Sequence, residues 1–226
     1  EVPVPTLQIP LVKKADVPAA YLGSLSNDSE VVSPFLDEAA RRRSDGQTGS
    51  AVRALSSLVE NNPGNPVNIR SALTNVTRIS PPPKQWLGWS YYYGEWLLRL
   101  GRTNQSDVVL FARVLGHFEL DESVVSLLSP LVETLRGDQL GAYLKSLFEL
   151  GMMERFNDVW TRHEGELAAD PELTLYRAAY LAGWGTSTAA TPARRVLENA
   201  QGEPSTRLLA NRLMLSVAAA KNELAT

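Results

Sequence analysis

The chain has 226 residues, of which 44% are hydrophobic, and its formal net charge at pH 7 is −3. This composition is typical of a folded globular protein, and the mildly acidic balance argues against nucleic acid as a partner, since nucleic-acid-binding proteins carry strongly basic patches. The chain contains no Cys, which excludes disulfides, thiolate metal sites and a Cys nucleophile.

A Pro-rich segment over residues 1–32 precedes the folded domain that we expect over residues 33–226. Leu7, Ile9 and Leu11 alternate with other residues, so this segment is either a brief strand-like contact or a tail left after processing. Its first prolines are Pro3, Pro5, Pro10 and Pro18. We interpret the segment as an extended lead-in, because closely spaced prolines do not form regular helices or central strands.

Helical signals follow the lead-in. Ser33-Pro34 predicts an N-cap and the first position of a helix, because Pro needs no hydrogen-bond partner there and its φ is already helical. Two further helices are predicted over about residues 51–60 and 67–79, between turns rich in Asn, Gly and Pro. The second of these ends before three consecutive prolines at 81–83, because proline cannot continue a helix.

A regular apolar period predicts the remaining helices. Hydrophobic residues recur every three or four positions, which is the spacing of one face of an α-helix. The segments with this spacing cover about residues 85–100, 107–118, 124–135, 139–150, 156–167, 173–184, 191–200 and 206–221. The turns between them are short, so the sequence predicts an all-α fold of about ten helices packed as antiparallel hairpins.

Individual residues predict where these helices start, bend and stop. Thr191-Pro192 predicts an N-cap followed by a first helical position. Pro130 lies inside an apolar stripe, so that helix is expected to kink there or to restart with Ser129 as its cap. Gly151 predicts the end of the next helix, since glycine readily adopts the left-handed conformation at a C-terminus.

The second half of the chain has a period of 33 or 34 residues. Gly151 recurs as Gly185 after 34 residues, and Asp170-Pro171 recurs as Glu203-Pro204 after 33 residues. A period of this length is typical of stacked helix–turn–helix units, whose apolar faces are buried only by their neighbours. The segment 101–137 does not hold this period.

A spacing within the second helix of each unit indicates a family. Small or apolar residues followed by Pro recur at two places: Ala51, Leu55, Leu58 and Pro63, and Ala193, Leu197, Ala200 and Pro204. In these positions the chain resembles a divergent tetratricopeptide-repeat protein over about residues 50–220. The resemblance implies an α-solenoid, in which stacked hairpins form a superhelix, with a groove that binds a peptide or a partner protein.

The chain lacks the motifs of common catalytic and cofactor sites. It contains no GxSxG, GxxxxGK[ST], GxGxxG or HExxH. His163 lies on the apolar stripe of its helix, which favours a partly buried core histidine, and His117 stands near Glu119 and Asp121. Neither histidine has metal-ligand spacing. We therefore expect no enzyme activity, no metal and no cofactor.

Aromatic residues are concentrated in one segment. Six of the chain's 17 aromatic residues are Trp86, Trp89, Tyr91, Tyr92, Tyr93 and Trp96. Packing is one interpretation, because the first helix of a repeat lies between neighbours and needs two apolar faces. A binding surface is the other, because Tyr and Trp dominate the energetics of interfaces. We predict that the partner-binding residues are Trp89, Tyr92, Trp96 and Arg99.

These observations predict a scaffold that holds a peptide or a partner protein. A carbohydrate- or small-ligand-binding helical domain that uses the same Trp and Tyr residues is the alternative; an α-helical enzyme would need clustered carboxylates, or His117 beside an acid, in a pocket. No apolar run is long enough to span a membrane. The start at Glu1, the Pro-rich beginning and the lack of Cys favour an exported, periplasmic or secreted protein, although a trimmed cytoplasmic chain fits the same features.

Overall fold

A computed structural model describes residues 29–80, 84–100 and 104–222. Within these ranges the chain forms eleven α-helices and no β-strand, which confirms the all-α prediction. Every helix there falls short of the length and apolarity that crossing a bilayer requires. The chain divides into two compact units, residues 1–86 and 87–226.

The first unit contains three helices that each pack on the other two. They are α1 (Ser29–Ser44), α2 (Thr48–Glu60) and α3 (Pro66–Val76), and a 3₁₀ turn follows at Lys84–Trp86. Asn65 caps α3 because its side chain accepts a hydrogen bond from the backbone N–H of Val67, at 2.9 Å. The predicted lead-in, with Leu7, Ile9 and Leu11, lies outside the described residues, except that residues 29–32 belong to α1.

The second unit contains eight helices. They are α4 (Leu87–Leu100), α5 (Gln105–His117), α6 (Asp121–Leu128), α7 (Gly137–Glu149), α8 (Met153–Leu167), α9 (Pro171–Trp184), α10 (Ser187–Gly202) and α11 (Arg207–Ala220). Each helix packs on the next, and in addition α5 packs on α7, α7 on α9 and α9 on α11. Helices α5, α7, α9 and α11 therefore form a continuous row of neighbours.

The helix starts in this unit are regularly spaced. Helices α5, α7, α9 and α11 begin at Gln105, Gly137, Pro171 and Arg207, which are 32, 34 and 36 residues apart. The segment 101–137, which departs from the period in its sequence, therefore follows it in the placement of its helices. The residues that suggested the repeat in α10, Ala193, Leu197 and Ala200, are all buried.

Two predicted helix starts are wrong. Helix α1 begins at Ser29, and α10 begins at Ser187, so Pro34 and Pro192 lie inside their helices. A proline inside a helix removes one backbone hydrogen bond. In α10 the residues before Pro192 include Ala189 and Ala190, which are strong helix formers, and their N–H groups donate to the Thr186 carbonyl at 3.0 and 2.9 Å. The extra turn therefore forms despite the proline.

The break predicted at Pro130 is confirmed, although Ser129 has another role. Helix α6 ends at Leu128, and a 3₁₀ helix over Ser129–Thr134 follows, with Pro130 in its first turn. Its N-cap is Leu128, and no side chain caps it. The Ser129 hydroxyl instead donates to the Val125 carbonyl of the preceding turn. Ser129 is therefore the C-cap of α6 rather than the N-cap of the next helix.

Candidate functional site

Helix α4 buries a narrow face. Ser90, Gly94 and Leu97 form this face. A Cβ atom added to Gly94 would lie 2.1 Å from Cδ2 of Phe111 in α5, so the Phe111 ring lies directly on the backbone of α4. Glycine at this position allows the two helices to approach closely. The close approach leaves no room for a side chain at position 94.

Of the residues that give this segment its apolar period, which are Trp86, Trp89, Tyr93, Leu97 and Leu100, only Leu97 is buried. The other four are half-buried. The aromatic side chains of α4 therefore lie on the flanks and the outside of the helix, because its buried face is narrow and is occupied by Ser90, Gly94 and Leu97.

The four residues predicted to bind a partner share one stripe of α4. Positions 89, 92, 96 and 99 are three or four residues apart, so they follow one another along the same side of the helix. That side points away from Ser90, Gly94 and Leu97. Tyr92 is 40% exposed and the Arg99 side chain is 70% exposed, while Trp89 and Trp96 are half-buried. We call these four residues the α4 stripe.

The aromatic rings of this segment pack against one another. Tyr92 and Trp96 are almost parallel, with 9° between their planes and 6.5 Å between their centroids. Tyr93 packs edge-on against Tyr92 at 5.0 Å and lies 4.9 Å from Trp89. Aromatic pairs in such arrangements contribute about 0.5–1.5 kcal/mol each. These ring contacts therefore constrain the orientation of Tyr92 and Trp96.

Arg99 adds a charge at the C-terminal end of the stripe. Its Nη2 atom lies 3.8 Å from Oε2 of Glu95, one turn earlier, and both side chains are exposed. Exposed pairs of this kind contribute about 0.3–0.5 kcal/mol, so a partner carboxylate can compete for the guanidinium.

The structure also contains a groove that sequence reasoning missed. It measures about 510 Å³ and lies where α8 begins and α9 ends. Its lining residues are Gly151, Met152, Met153, Glu154, Arg155, Asp158 and Trp184. Gly151 has a φ of +70 and ends α7, as predicted, so the chain turns sharply at the residue where the groove begins. The sign of this groove in the sequence was the pair of adjacent methionines, Met152 and Met153, after the glycine that ends a helix.

A polar network joins three alternate helices of the second unit. The Tyr176 hydroxyl of α9 donates to Oε1 of Glu149 in α7, at 3.1 Å. Nη2 of Arg212 in α11 donates to the same Glu149 oxygen at 2.8 Å and to the Tyr176 oxygen at 2.6 Å. Burial raises the pKa of Tyr176, so the phenol stays protonated and donates its hydrogen. The network links neighbouring hairpins.

The histidines lie apart from both surfaces. His163 is half-buried, and its backbone departs from helical geometry, with φ −123 and ψ 17, at a kink in α8. His117 is the last residue of α5, and its ring packs edge-on against Phe118 at 5.8 Å. In the described ranges no three His, Asp or Glu side chains are grouped so that they could hold a metal ion.

Comparison with protein-family models, curated proteins and solved structures finds no match for this chain. The tetratricopeptide resemblance remains an expectation from the sequence alone.

Proposed function

We propose that this chain is a scaffold that binds a peptide or a partner protein through the α4 stripe. The observation that carries the proposal is the parallel pair of Tyr92 and Trp96, on the side of α4 away from its buried face. Tyr92 belongs to a segment with six aromatic residues, a type of side chain that is usually buried, and yet it is 40% exposed. Exposed, preorganised Tyr and Trp rings are the side chains that most often dominate interface energetics.

The arrangement of the second unit supports a repeat architecture for this scaffold. Alternate helices pack on one another, and their starts are spaced by 32 to 36 residues. We infer a tetratricopeptide-like α-solenoid, because such stacks place equivalent helices side by side in one layer.

The chemistry of the stripe defines the partner it fits. Trp89, Tyr92 and Trp96 offer large apolar area with polar tips, and they lose little conformational entropy on binding because each side chain has two rotatable bonds. Arg99 offers a planar guanidinium that pairs with a carboxylate in two parallel hydrogen bonds. The expected ligand is a polypeptide segment with an apolar side chain beside an acidic one.

A capture experiment with matched variants tests the proposal. Three proteins would be immobilised: the full chain, a Tyr92→Ala/Trp96→Ala variant and a Tyr91→Ala variant. Circular dichroism would first show that all three remain folded. Tyr91 is the control because it is 43% exposed on the same helix but lies outside the α4 stripe, with its ring packed on Phe111 at 5.5 Å. A protein captured by the parent and by Tyr91→Ala, and lost with the double variant, supports the α4 stripe. Equal capture by all three contradicts it.

Carbohydrate binding is the second candidate, favoured by the flat parallel faces of Tyr92 and Trp96. Pyranose rings stack on such faces, and the exposed Glu95 and Arg99 would supply hydrogen-bonding groups beside them. It predicts quenching of Trp fluorescence by a saccharide in the parent but not in Trp96→Ala. Saccharide-dependent quenching together with no captured protein would replace the scaffold proposal.

A further inference from the structure

We propose that the groove between the start of α8 and the end of α9 binds a basic segment of a partner protein, anchored by an apolar side chain. This is a second surface, separate in sequence and composition from the α4 stripe, so either proposal can fail without the other.

The groove has an apolar floor with one fixed wall. Met152 and Trp184, which both line it, are 37% and 40% exposed. The Trp184 ring packs edge-on against Phe148 at 5.9 Å, and Phe148 itself is in the core. Methionine side chains adapt to the shape of an incoming group, and a held Trp ring offers a fixed contact area. This combination suits an apolar anchor residue.

The rim of the groove is acidic. Glu154 and Asp158 both line it and are exposed. Within the described residues neither carboxylate is paired with a cationic side chain. Arg155 also lines the groove, but its guanidinium lies over the Tyr143 ring, 5.6 Å from the ring centroid. Two carboxylates that make no ion pair with the described residues, beside Met152 and Trp184, attract a Lys or Arg side chain of the bound segment.

The surface continues along α8, which sets the size of the ligand. A second depression of about 400 Å³ is lined by Asn157, Asp158, Thr161 and Arg162. It shares Asp158 with the groove. Arg162 is held by an ion pair with Glu133, so its charge is already compensated. A segment of several residues, rather than a single side chain, fits this path.

The test uses three synthetic peptides that differ only in charge. Each has twelve residues and a fluorescent label, with Leu at two anchor positions and Lys, Gln or Glu elsewhere. Fluorescence anisotropy would measure their affinity for the full chain at physiological salt. We expect the Lys peptide to bind most tightly, the Gln peptide less tightly and the Glu peptide least.

Two variants and a matched control decide whether the groove is responsible. Trp184→Ala should lower the affinity for the Lys peptide about 30-fold, which is the scale expected of a hot-spot residue. Glu154→Lys should lower the same affinity about fivefold, as expected for one exposed charge pair. Glu122→Lys is the control: Glu122 is also exposed and also second in its helix, α6, so the cost to the helix dipole is the same.

Several results would overturn the proposal. These are equal binding of the Lys and Glu peptides, no binding of the Lys peptide at millimolar concentration, or equal weakening by Glu122→Lys and Glu154→Lys. If Trp184→Ala fails to fold, the comparison of the two charge variants still decides the outcome.

Discussion

Aromatic residues differ in their placement between α4 and helices α7 to α9. Five of the seven aromatic residues of α7, α8 and α9 are buried in the core, among them Tyr143, Phe156, Trp160 and Tyr176, while Tyr180 is half-buried and Trp184 is 40% exposed. In α4 the core positions belong to Ser90, Gly94 and Leu97, and the aromatic residues lie around them. The density of aromatic residues therefore does not identify the buried face of a helix.

The difference has a physical cause at the helix contact. Phe111 of α5 fills the space beside Gly94, so α4 meets its neighbour through a ring that comes from the other helix. In α8 the ring comes from the helix itself, because Phe156 contacts the rings of Phe148 and Tyr180 at 5.7 and 5.6 Å. At Gly94 one large side chain packs against a position without a side chain, whereas around Phe156 large side chains of three helices pack against one another.

The largest expected effect is in the aromatic core. Phe156→Ala should lower the free energy of unfolding by about 3–5 kcal/mol, since it removes a fully buried ring and leaves a cavity among three other rings. Phe156→Leu should cost less than half as much, because it conserves most of the volume. Equilibrium unfolding in urea, followed by circular dichroism, measures both. A cost below about 1 kcal/mol for Phe156→Ala would show that this region is not the core.

The contact at Gly94 gives the next largest effect. Gly94→Ala should destabilise the chain by about 1–3 kcal/mol, because the added methyl group overlaps the Phe111 ring. Gly88→Ala is the matched control on the same helix, since nothing lies within 4 Å of its added Cβ. It should stabilise the chain by about 0.5–1 kcal/mol through helix propensity. Thermal unfolding of the two variants should thus show shifts of opposite sign, and shifts of the same sign would contradict the described packing.

A smaller effect is expected at the start of α9. The Asp170 side chain accepts hydrogen bonds from the N–H groups of Glu172 and Leu173 at 2.8 and 3.1 Å. Asp170→Ala should therefore cost about 1 kcal/mol. Thr186 is the N-cap of α10 but makes no side-chain cap bond, so Thr186→Ala should change stability by less than about 0.5 kcal/mol. Urea unfolding compares the two, and equal costs would contradict the assigned cap.

The sequence predicts the helices of this chain well because their signals are local. Apolar spacing, Gly151 and Pro130 each act within one or two turns, and the structure agrees with their placement. Ser33-Pro34 and Thr191-Pro192 led to wrong helix starts, because Ser-Pro and Thr-Pro are compatible both with a helix start and with a proline inside a helix. The residues before each dipeptide decide between the two cases, since they can add one more stable turn to the helix.

The candidate surfaces were harder to predict because they depend on contacts between helices. The aromatic segment was visible in the sequence, but whether Tyr92 faces the core depends on Phe111, 19 residues later. Gly94, four residues after Ser90, was the signal for a close contact on that face. The groove at Met152 needs Trp184 from another helix, and no local pattern joins residues so far apart.

The measurement that tests the central claim most directly compares two tyrosines. Tyr143 is fully buried, whereas Tyr92 is 40% exposed on the α4 stripe. Urea unfolding of Tyr143→Ala and Tyr92→Ala, each against the parent chain, gives the two changes in the free energy of unfolding. We predict a loss of about 3–5 kcal/mol for Tyr143→Ala and less than about 1.5 kcal/mol for Tyr92→Ala. A loss of 3 kcal/mol or more for Tyr92→Ala, on the same scale, would show that the α4 stripe is core and contradict its role as a binding surface.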